Sequence, residues 1–570
     1  MASEEEAAIF LSPSLALSGG FGCSESGSLF TKPGQLQGGK LVPTFRIMLE
    51  HRAPGLRARI TRRIAAMANQ LAQIKYFVQL MMENRSFDQM LGFLYADSGN
   101  VSPTGRAYEG LTGNESNLDS AGREVKVFKI DKRHAHPYFM PGADPGEGFF
   151  STNWQLFSAE HQPPGAKSTN QGFVIDFEKA IASDLAKHFS DTLPGTVPSD
   201  IMGMYTPEFL PIMSGLARGF AVCDHWFASA PTQTIPNRAF AGAATSLGRL
   251  DNHVKIFTVP SIFGRLSDKG LDWAIYGYNK PPLTRHDFPD TQDADESHFG
   301  HFHDFRNRAL AGKLPPYTFL EPSFGAGGNS QHPNYDVAAG EQLFHDVYYA
   351  LRNGKGWNNT LLLVTYDEHG GNYDHVPPPN SAVPPDDSVG EMDGFDFSRF
   401  GVRVPALLIS PLIPAGTVFR ARSGTIDHTS FLKTLEERWG LHPLTERDKA
   451  APSLRRRALP EGTPDRRPVS WHPGAEFGRH VSAEVASVQA RDGSRDAGCS
   501  AARPQRVRCL RARGPRPELQ LQGDRLHPRA HRGVDPSSPA QQRRGKTAPP
   551  RRSCGPRQDS AAARRRAQTG

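Results

Sequence analysis

The chain has 570 residues, with 66 Lys plus Arg against 59 Asp plus Glu and a formal net charge of +7. That charge is unevenly held: residues 455–570 carry 25 Arg, one Lys and 10 acidic residues, or +16, which leaves residues 1–454 at −9. Of the cysteines Cys23, Cys223, Cys499, Cys509 and Cys554, only Cys223 falls in the acidic body, which excludes a disulfide framework or thiolate zinc knuckle there, and no apolar run reaches the length of a membrane span.

Residues 1–70 open on Glu4-Glu5-Glu6 and pass through scattered Gly and Ser to the Arg-rich stretch Arg57–Arg63, without apolar periodicity. A secretory leader needs a basic start before its apolar stretch, and Arg62-Arg63 is followed too soon by Asn69 and Gln70 for a twin-arginine signal. A cytoplasmic location is therefore the default expectation. The tail is rich in Arg, Pro, Gly, Ser and Gln, a composition that cannot bury enough apolar surface to offset the entropy of ordering. Three segments are expected: a poorly structured extension over 1–70, a folded body over 71–454 and a disordered basic tail over 455–570.

Within the body, Ile74–Met82 is a nearly continuous apolar run of strand length. Ser86 then opens a helix, with Gln89 three residues on as a capping box and Phe87, Met90, Leu91 and Leu94 as its buried face. Thr206-Pro207 is expected to cap a second helix ending at Gly219, leading into a strand over Phe220–Phe227. The loop Ala230–Arg238 runs into a helical segment over Ala239–Ser246, with Pro236 in its first turn. Pro260–Lys269 and Leu271–Tyr278 read as another helix and strand. Apolar residues at 343, 344, 347, 348 and 351 form one helical face, stopped by Gly354. Thr360–Tyr366 is a second central strand. Val402–Ile409 is a further strand, placed near an edge because Pro405 cannot donate to a ladder. A helix over Thr429–Trp439 closes the body. Helices alternating with buried strands predict an α/β fold with a largely parallel central sheet covered by helices on both faces.

Two strand ends carry hard oxygen ligands. The first strand runs into Glu83-Asn84-Arg85-Ser86, and Thr360–Tyr366 runs into Asp367-Glu368-His369-Gly370-Gly371-Asn372-Tyr373-Asp374-His375. In an open α/β sheet, ions and phosphates bind at the carboxyl edge of the strands. Each segment alone reads equally well as a polar turn. Together, Glu83, Asn84, Asp367 and Glu368 form an all-oxygen set suited to a hard divalent cation, and a nearby histidine would widen the choice to zinc or manganese. Thr234 lies just before the expected helix start, where a hydroxyl feels the positive helix end. It is either a simple cap or, against a divalent ion, a nucleophile. Asn237 and Arg238 add a neutral donor and a guanidinium fork for phosphate. His332, His375 and His428 are the histidines near these segments, and cleavage of a phosphoester needs one of them to protonate the leaving oxygen. A nucleic-acid-associated role through the basic ends is the competing reading, but the tail arginines lack interleaved aromatics and the acidic body offers nucleic acid no basic face.

The segments MMENRSFDQMLG, TIPNRAF, QHPNYDVAAGEQL, TYDEHGGNYDHVPPP, FGVRVPALLISPLIP and DHTSFLKTLEERWGL occur in order between Ile74 and Leu454. Together they resemble the bacterial and plant phosphoesterase family that contains non-specific phospholipases C and a class of acid phosphatases. The resemblance implies an alkaline-phosphatase-like fold for a catalytic domain over 71–454. It implies metal ligation by Glu83, Asn84, Thr234, Asp367 and Glu368, with Thr234 also the nucleophile and His332 and His375 in segments that supply active-site histidines. Asn237, Arg238 and His428 are expected to bind substrate. The expected substrate is a phospholipid, cut on the glycerol side of its phosphodiester, or alternatively a small phosphomonoester, with membrane contact no more than peripheral. One departure stands out: many members carry Asp-Pro-x-His, whereas this chain has Asp144-Pro145-Gly146-Glu147.

Overall fold

The computed structural model describes residues 71–187, 192–253 and 256–454. The extension over 1–70 and the basic tail over 455–570 lie outside these described residues. At the centre is an eight-stranded sheet. In chain order its strands are β1 (Tyr76–Met82), β2 (Ala221–Cys223), β3 (Trp273–Gly277), β4 (Phe299–His301), β5 (Tyr317–Leu320), β6 (Thr360–Tyr366), β7 (Ala406–Ile409) and β8 (Thr417–Phe419). They lie side by side as β8-β2-β7-β6-β1-β5-β3-β4. Every pairing is parallel except those of β7, which is antiparallel to both β6 and β2. All strands but β7 therefore point the same way and share one carboxyl edge.

Successive residues of a strand face opposite sides of the sheet. Phe77–Met82 of β1 and all of β6 are buried, so both faces of the sheet centre are covered. The covering layers include α1 (Phe87–Leu91), α2 (Phe149–Phe157), α3 (Phe173–Ala186), α4 (Pro211–Gly219), α5 (Thr234–Ala243), α6 (Ile262–Asp268), α7 (Phe302–Ala311), α8 (Val337–Arg352) and α9 (Thr429–Trp439). The main core joins Phe77, Leu80, Leu362, Leu408, Phe431 and Leu435 with their neighbours. Each such side chain contributes roughly 1.5–3 kcal/mol on burial. A second cluster, built on Leu156, Phe173, Val174, Phe177, Ile201 and Met202, anchors the lobe that contains Asp144–Glu147. Among the described residues no helix is long and apolar enough to cross a membrane.

The expected α/β class and the expected strands β1 and β6 are present, and several details differ. Ser86 Oγ accepts the Gln89 amide at 3.2 Å, but Gln89 Oε1 takes a hydrogen bond from Arg85 at 2.9 Å instead of closing the capping box. Helix α4 starts at Pro211 rather than at Thr206-Pro207. Its first amides, of Ile212 and Met213, are capped from a distance by the buried Glu341 carboxylate at 2.6 and 3.1 Å. The segment Phe220–Phe227 is strand only over Ala221–Cys223. Strand β7 is internal rather than at an edge. Pro405 sits one residue before it, where its missing N–H costs no ladder bond, and its carbonyl accepts from Thr365 Oγ1 at 3.0 Å. Strands β4, β5 and β8 and helices α2, α3 and α7 are additional to the expected elements.

Candidate active site

Strands β1 and β6 are adjacent, parallel and in register, with Met82 opposite Tyr366. Glu83-Asn84 and Asp367-Glu368 therefore leave the sheet side by side at its carboxyl edge. Asp367 Oδ1 accepts the backbone amides of Asn84 at 3.0 Å and of Glu368 at 2.8 Å, which ties the two strand ends together. Asn84 is in the left-handed region at φ 57°, a conformation that asparagine tolerates better than most residues. The turn that follows Glu368 needs its glycines. Gly370 and Gly371 have φ of 60° and 65°, and a Cβ on Gly370 would lie 2.2 Å from the Asn84 carbonyl oxygen, one on Gly371 2.5 Å from that of Gly146. The double glycine thus lets three chain segments meet around one point.

Strand β2 also points to this edge, and the loop after it delivers α5. Thr234 is the first helical residue rather than the one preceding the helix, with Gln233 at the N-cap. The Thr234 hydroxyl donates to Asn84 Oδ1 at 3.0 Å. Asn237 spends its side chain on the loop: Oδ1 accepts from the Ala230 amide at 3.0 Å, and Nδ2 donates to the carbonyls of Ala230 and Thr232 at 3.1 and 2.9 Å. Arg238 is buried; its Nε donates to Asp367 Oδ2 at 2.9 Å, and Nη2 donates to the carbonyls of Met81 and Met82 at 3.1 and 3.0 Å. Its Nη1 is a buried donor without a protein acceptor.

The three histidines expected from sequence part company. His332 joins the group: its Nε2 is 3.8 Å from Glu147 and its Nδ1 3.9 Å from Asp144. Burial, the largest influence, pushes its pKa down, yet Asp144, Glu147 and Glu83 lift it to about 9. His375 belongs to a neighbouring network, with Nδ1 2.6 Å from Asp88 Oδ2 and Nε2 3.9 Å from Glu109. There the buried Arg403 bridges Asp88 and Asp374 at 2.8 and 2.9 Å. The tight turn at Gly370-Gly371 sends Asp374 and His375 back toward α1, away from the ligand pair they follow in sequence. His428 uses both ring nitrogens inside the fold, accepting from Trp226 Nε1 at 3.2 Å and donating to the Asp367 carbonyl at 2.7 Å. Neither nitrogen is left for a substrate. Asn237 and His428 thus hold the site's backbone rather than face a ligand.

Residues outside the expected set complete the arrangement. Glu147 accepts a short hydrogen bond from Asn84 Nδ2 and another from Gln233 Nε2 at 3.2 Å. The residue that departs from the family motif is therefore in the site. Gln155 donates to the Gly146 carbonyl at 2.6 Å and to Asp176 at 2.8 Å, which fixes its amide, and its oxygen accepts from His369 Nε2 at 2.7 Å. His369 then presents an unprotonated Nδ1 3.4 Å from Glu368 Oε2, and burial drives its pKa down to about 3. A cavity of about 510 Å³ adjoins the group, lined by Glu147, Gln233, Asp144, Phe150, Trp154 and Asp176.

The donor set fits a hard cation. Glu83 Oε2 and Glu368 Oε1 are buried carboxylate oxygens without a protein donor, an arrangement that costs free energy unless a ligand satisfies them. Burial raises the pKa of both residues, and Asp367 raises each further. Glu147 is pushed up to about 8 by burial and then by Asp144. Positive charge among these carboxylates would relieve all three. Among the described residues, two trios of potential ligands have atoms within 4.8 Å of one another: Asp144-Glu147-His332 beside this group and Asp88-Asp374-His375 in the Arg403 network. Arg403 already bridges the two aspartates of the second trio.

Carboxylate oxygens, a hydroxyl at a helix start and a guanidinium N–H are gathered at the carboxyl edge of the largely parallel sheet, an arrangement suited to a phosphate group. Residues 74–442 match the Phosphoesterase family. Non-specific phospholipase C6 of Arabidopsis thaliana is 36% identical over 395 residues, covering 66% of this chain and 70% of that protein. Phospholipase C A of Mycobacterium tuberculosis is 28% identical over 411 residues, covering 65% and 74%. A solved protein of the alkaline phosphatase superfamily from Vibrio parahaemolyticus aligns at a TM-score of 0.28 and 13% identity, covering 43% of this chain and 64% of that one. The chain belongs to the Phosphoesterase family, and it is a hydrolase acting on phosphoester bonds.

Proposed function

We propose that the protein is a metal-dependent phospholipase C that uses Thr234 as nucleophile. The observation that carries this reading is the Thr234 hydroxyl at the start of α5, bonded at 3.0 Å to Asn84 at the joined ends of β1 and β6. Glu83, Asn84, Thr234, Asp367 and Glu368 would hold a divalent cation, which supplies charge neutralisation on the phosphoryl oxygens and acidifies the hydroxyl. Thr234 Oγ releases its proton to solvent and bonds to phosphorus as the bond to the diacylglycerol oxygen breaks. Protonated His332 gives its proton to that departing oxygen. Water then cleaves the phosphodiester on Thr234, returning one proton to the threonine oxygen and one to His332 and releasing the phosphorylated head group. The free N–H of Arg238 is available to a phosphoryl oxygen, while its other nitrogens hold Asp367 and the end of β1 in place. The names of the relatives support a phospholipid substrate.

Thr234→Val keeps the side-chain shape and removes the oxygen. It should lose nearly all turnover of phosphatidylcholine and p-nitrophenyl phosphorylcholine, whereas Thr234→Ser should retain part of it. Acid-quenched wild-type turnover of phosphatidylcholine should leave phosphocholine on the Thr234 peptide. Near-normal turnover by the valine variant would exclude this nucleophile. Faster hydrolysis of p-nitrophenyl phosphate than of the diester would assign a phosphomonoesterase instead.

A further inference from the structure

Glu147 stands between the two groups that set the position of Thr234. One carboxylate oxygen accepts from Asn84 Nδ2, so that the Asn84 oxygen faces the Thr234 hydroxyl. The other accepts from Gln233, the N-cap residue directly before Thr234. Gln233 is itself oriented, because its oxygen accepts the Asn252 amide at 3.1 Å. Both carboxamides are therefore fixed with their NH2 groups toward Glu147. The two oxygens of Glu147 each accept one of these facing amide donors. Gly371 packs where a Cβ would strike the Gly146 carbonyl, so the loop that carries Glu147 is seated directly on the ligand-bearing turn.

We propose that Glu147 is a positioning residue of the phosphoryl-transfer site, clamping Asn84 and Gln233 so that Thr234 and the Asn84 oxygen face a common point. This rests on the reading of Thr234 as nucleophile. Glu147 acts through those two amides and gives no proton to the substrate. Loss of a group that orients a ligand typically costs 10–100-fold in metal affinity or activity. Glu147→Ala should lower kcat about 10–100-fold on p-nitrophenyl phosphorylcholine with KM changed less than about threefold. Glu147→Gln keeps one acceptor and should recover a substantial part of that loss. Gln233→Ala should give a smaller fall, and the double variant Glu147→Ala/Gln233→Ala should lose less than the product of the single losses.

The experiment uses the full chain, with thermal melting to verify folding and Mn2+ binding followed by electron paramagnetic resonance as a readout independent of turnover. Mn2+ affinity should fall in Glu147→Ala and recover in part in Glu147→Gln; if the alanine variant does not fold, the glutamine variant with and without Gln233→Ala carries the same comparison. Wild-type kcat in Glu147→Ala, an effect confined to KM, independent multiplication of the two losses, or complete loss of Mn2+ binding, which would make Glu147 a ligand, each overturns the clamp. An active Thr234→Val overturns the nucleophile instead, and the Mn2+ series still decides Glu147 in that case.

Discussion

Replacing Gly370 by alanine tests whether the site depends on close approach of the two strand ends. The new Cβ would lie 2.2 Å from the Asn84 carbonyl oxygen and 2.7 Å from the Asn84 carbonyl carbon. Both are backbone atoms, so no side-chain rotation relieves the contact. Reaching an ordinary separation needs a displacement of about 1 Å, and misplacement of that size costs on the order of 100-fold in rate. The left-handed φ of 60° adds about 1–2 kcal/mol of backbone strain. Gly122→Ala separates the two effects, since Gly122 has φ of 75° with nothing within 4 Å of the added Cβ. Gly122→Ala should lower the urea midpoint modestly and leave kcat unchanged. Gly370→Ala should lower kcat on p-nitrophenyl phosphorylcholine about 100-fold as well as lowering the midpoint. Equal kcat in the two variants would refute the argument, because strain alone would then account for the glycine.

Glu83→Ala and Asp367→Asn should each lower both Mn2+ occupancy and turnover, with Asp367→Asn also destabilising the fold because it leaves Arg238 facing a neutral partner; atomic absorption and urea unfolding read these out. Glu436 is buried on α9, and its pKa is raised to about 9 by burial and by Asp448, with Lys433 opposing. The native state therefore favours the protonated form, and the associated stability is full below about pH 4.5 and lost as pH rises toward about 9. Glu436→Gln should remove that slope, so that the variant gains on wild type between pH 5 and pH 8 in urea midpoints. We propose that residues 71–454 are the catalytic unit: limited proteolysis should leave this body intact, and a chain ending at 460 should keep its melting temperature and turnover.

Much of the sheet was legible because its central strands are buried on both faces and so appear as nearly continuous apolar runs. Tyr76–Met82 and Thr360–Tyr366 declare themselves this way, and their polar successors mark the carboxyl edge. Short strands carry less signal: Tyr317–Leu320 is only four residues, one of them Thr318, after two prolines, and Thr417–Phe419 has no run at all. Helix α3 carries its signal in Phe173, Val174 and Phe177 on one face, a short helical period. Pro405 suggests an edge strand, whereas it lies just outside an internal one.

At the site, sequence proximity was a poor guide once a turn intervened. Asp367 and His375 are eight positions apart, and the two left-handed glycines between them direct His375 to Asp88. His332, from a distant segment, comes instead to Glu147. A histidine's surroundings are set by where the chain turns, and the turn is encoded in glycines whose φ no apolar pattern reveals. Asn237 and His428 show a related limit: polar residues in a motif serve the backbone as readily as the ligand, and only the count of occupied donors and acceptors separates the two. By that count Asn237 and His428 are spent, whereas the buried oxygens of Glu83 and Glu368 and one nitrogen of Arg238 are not. Unmet hydrogen-bonding capacity gathered at one sheet edge points to a ligand, and here its carboxylate oxygens and guanidinium N–H suit the two charges of a cation and a phosphoryl group.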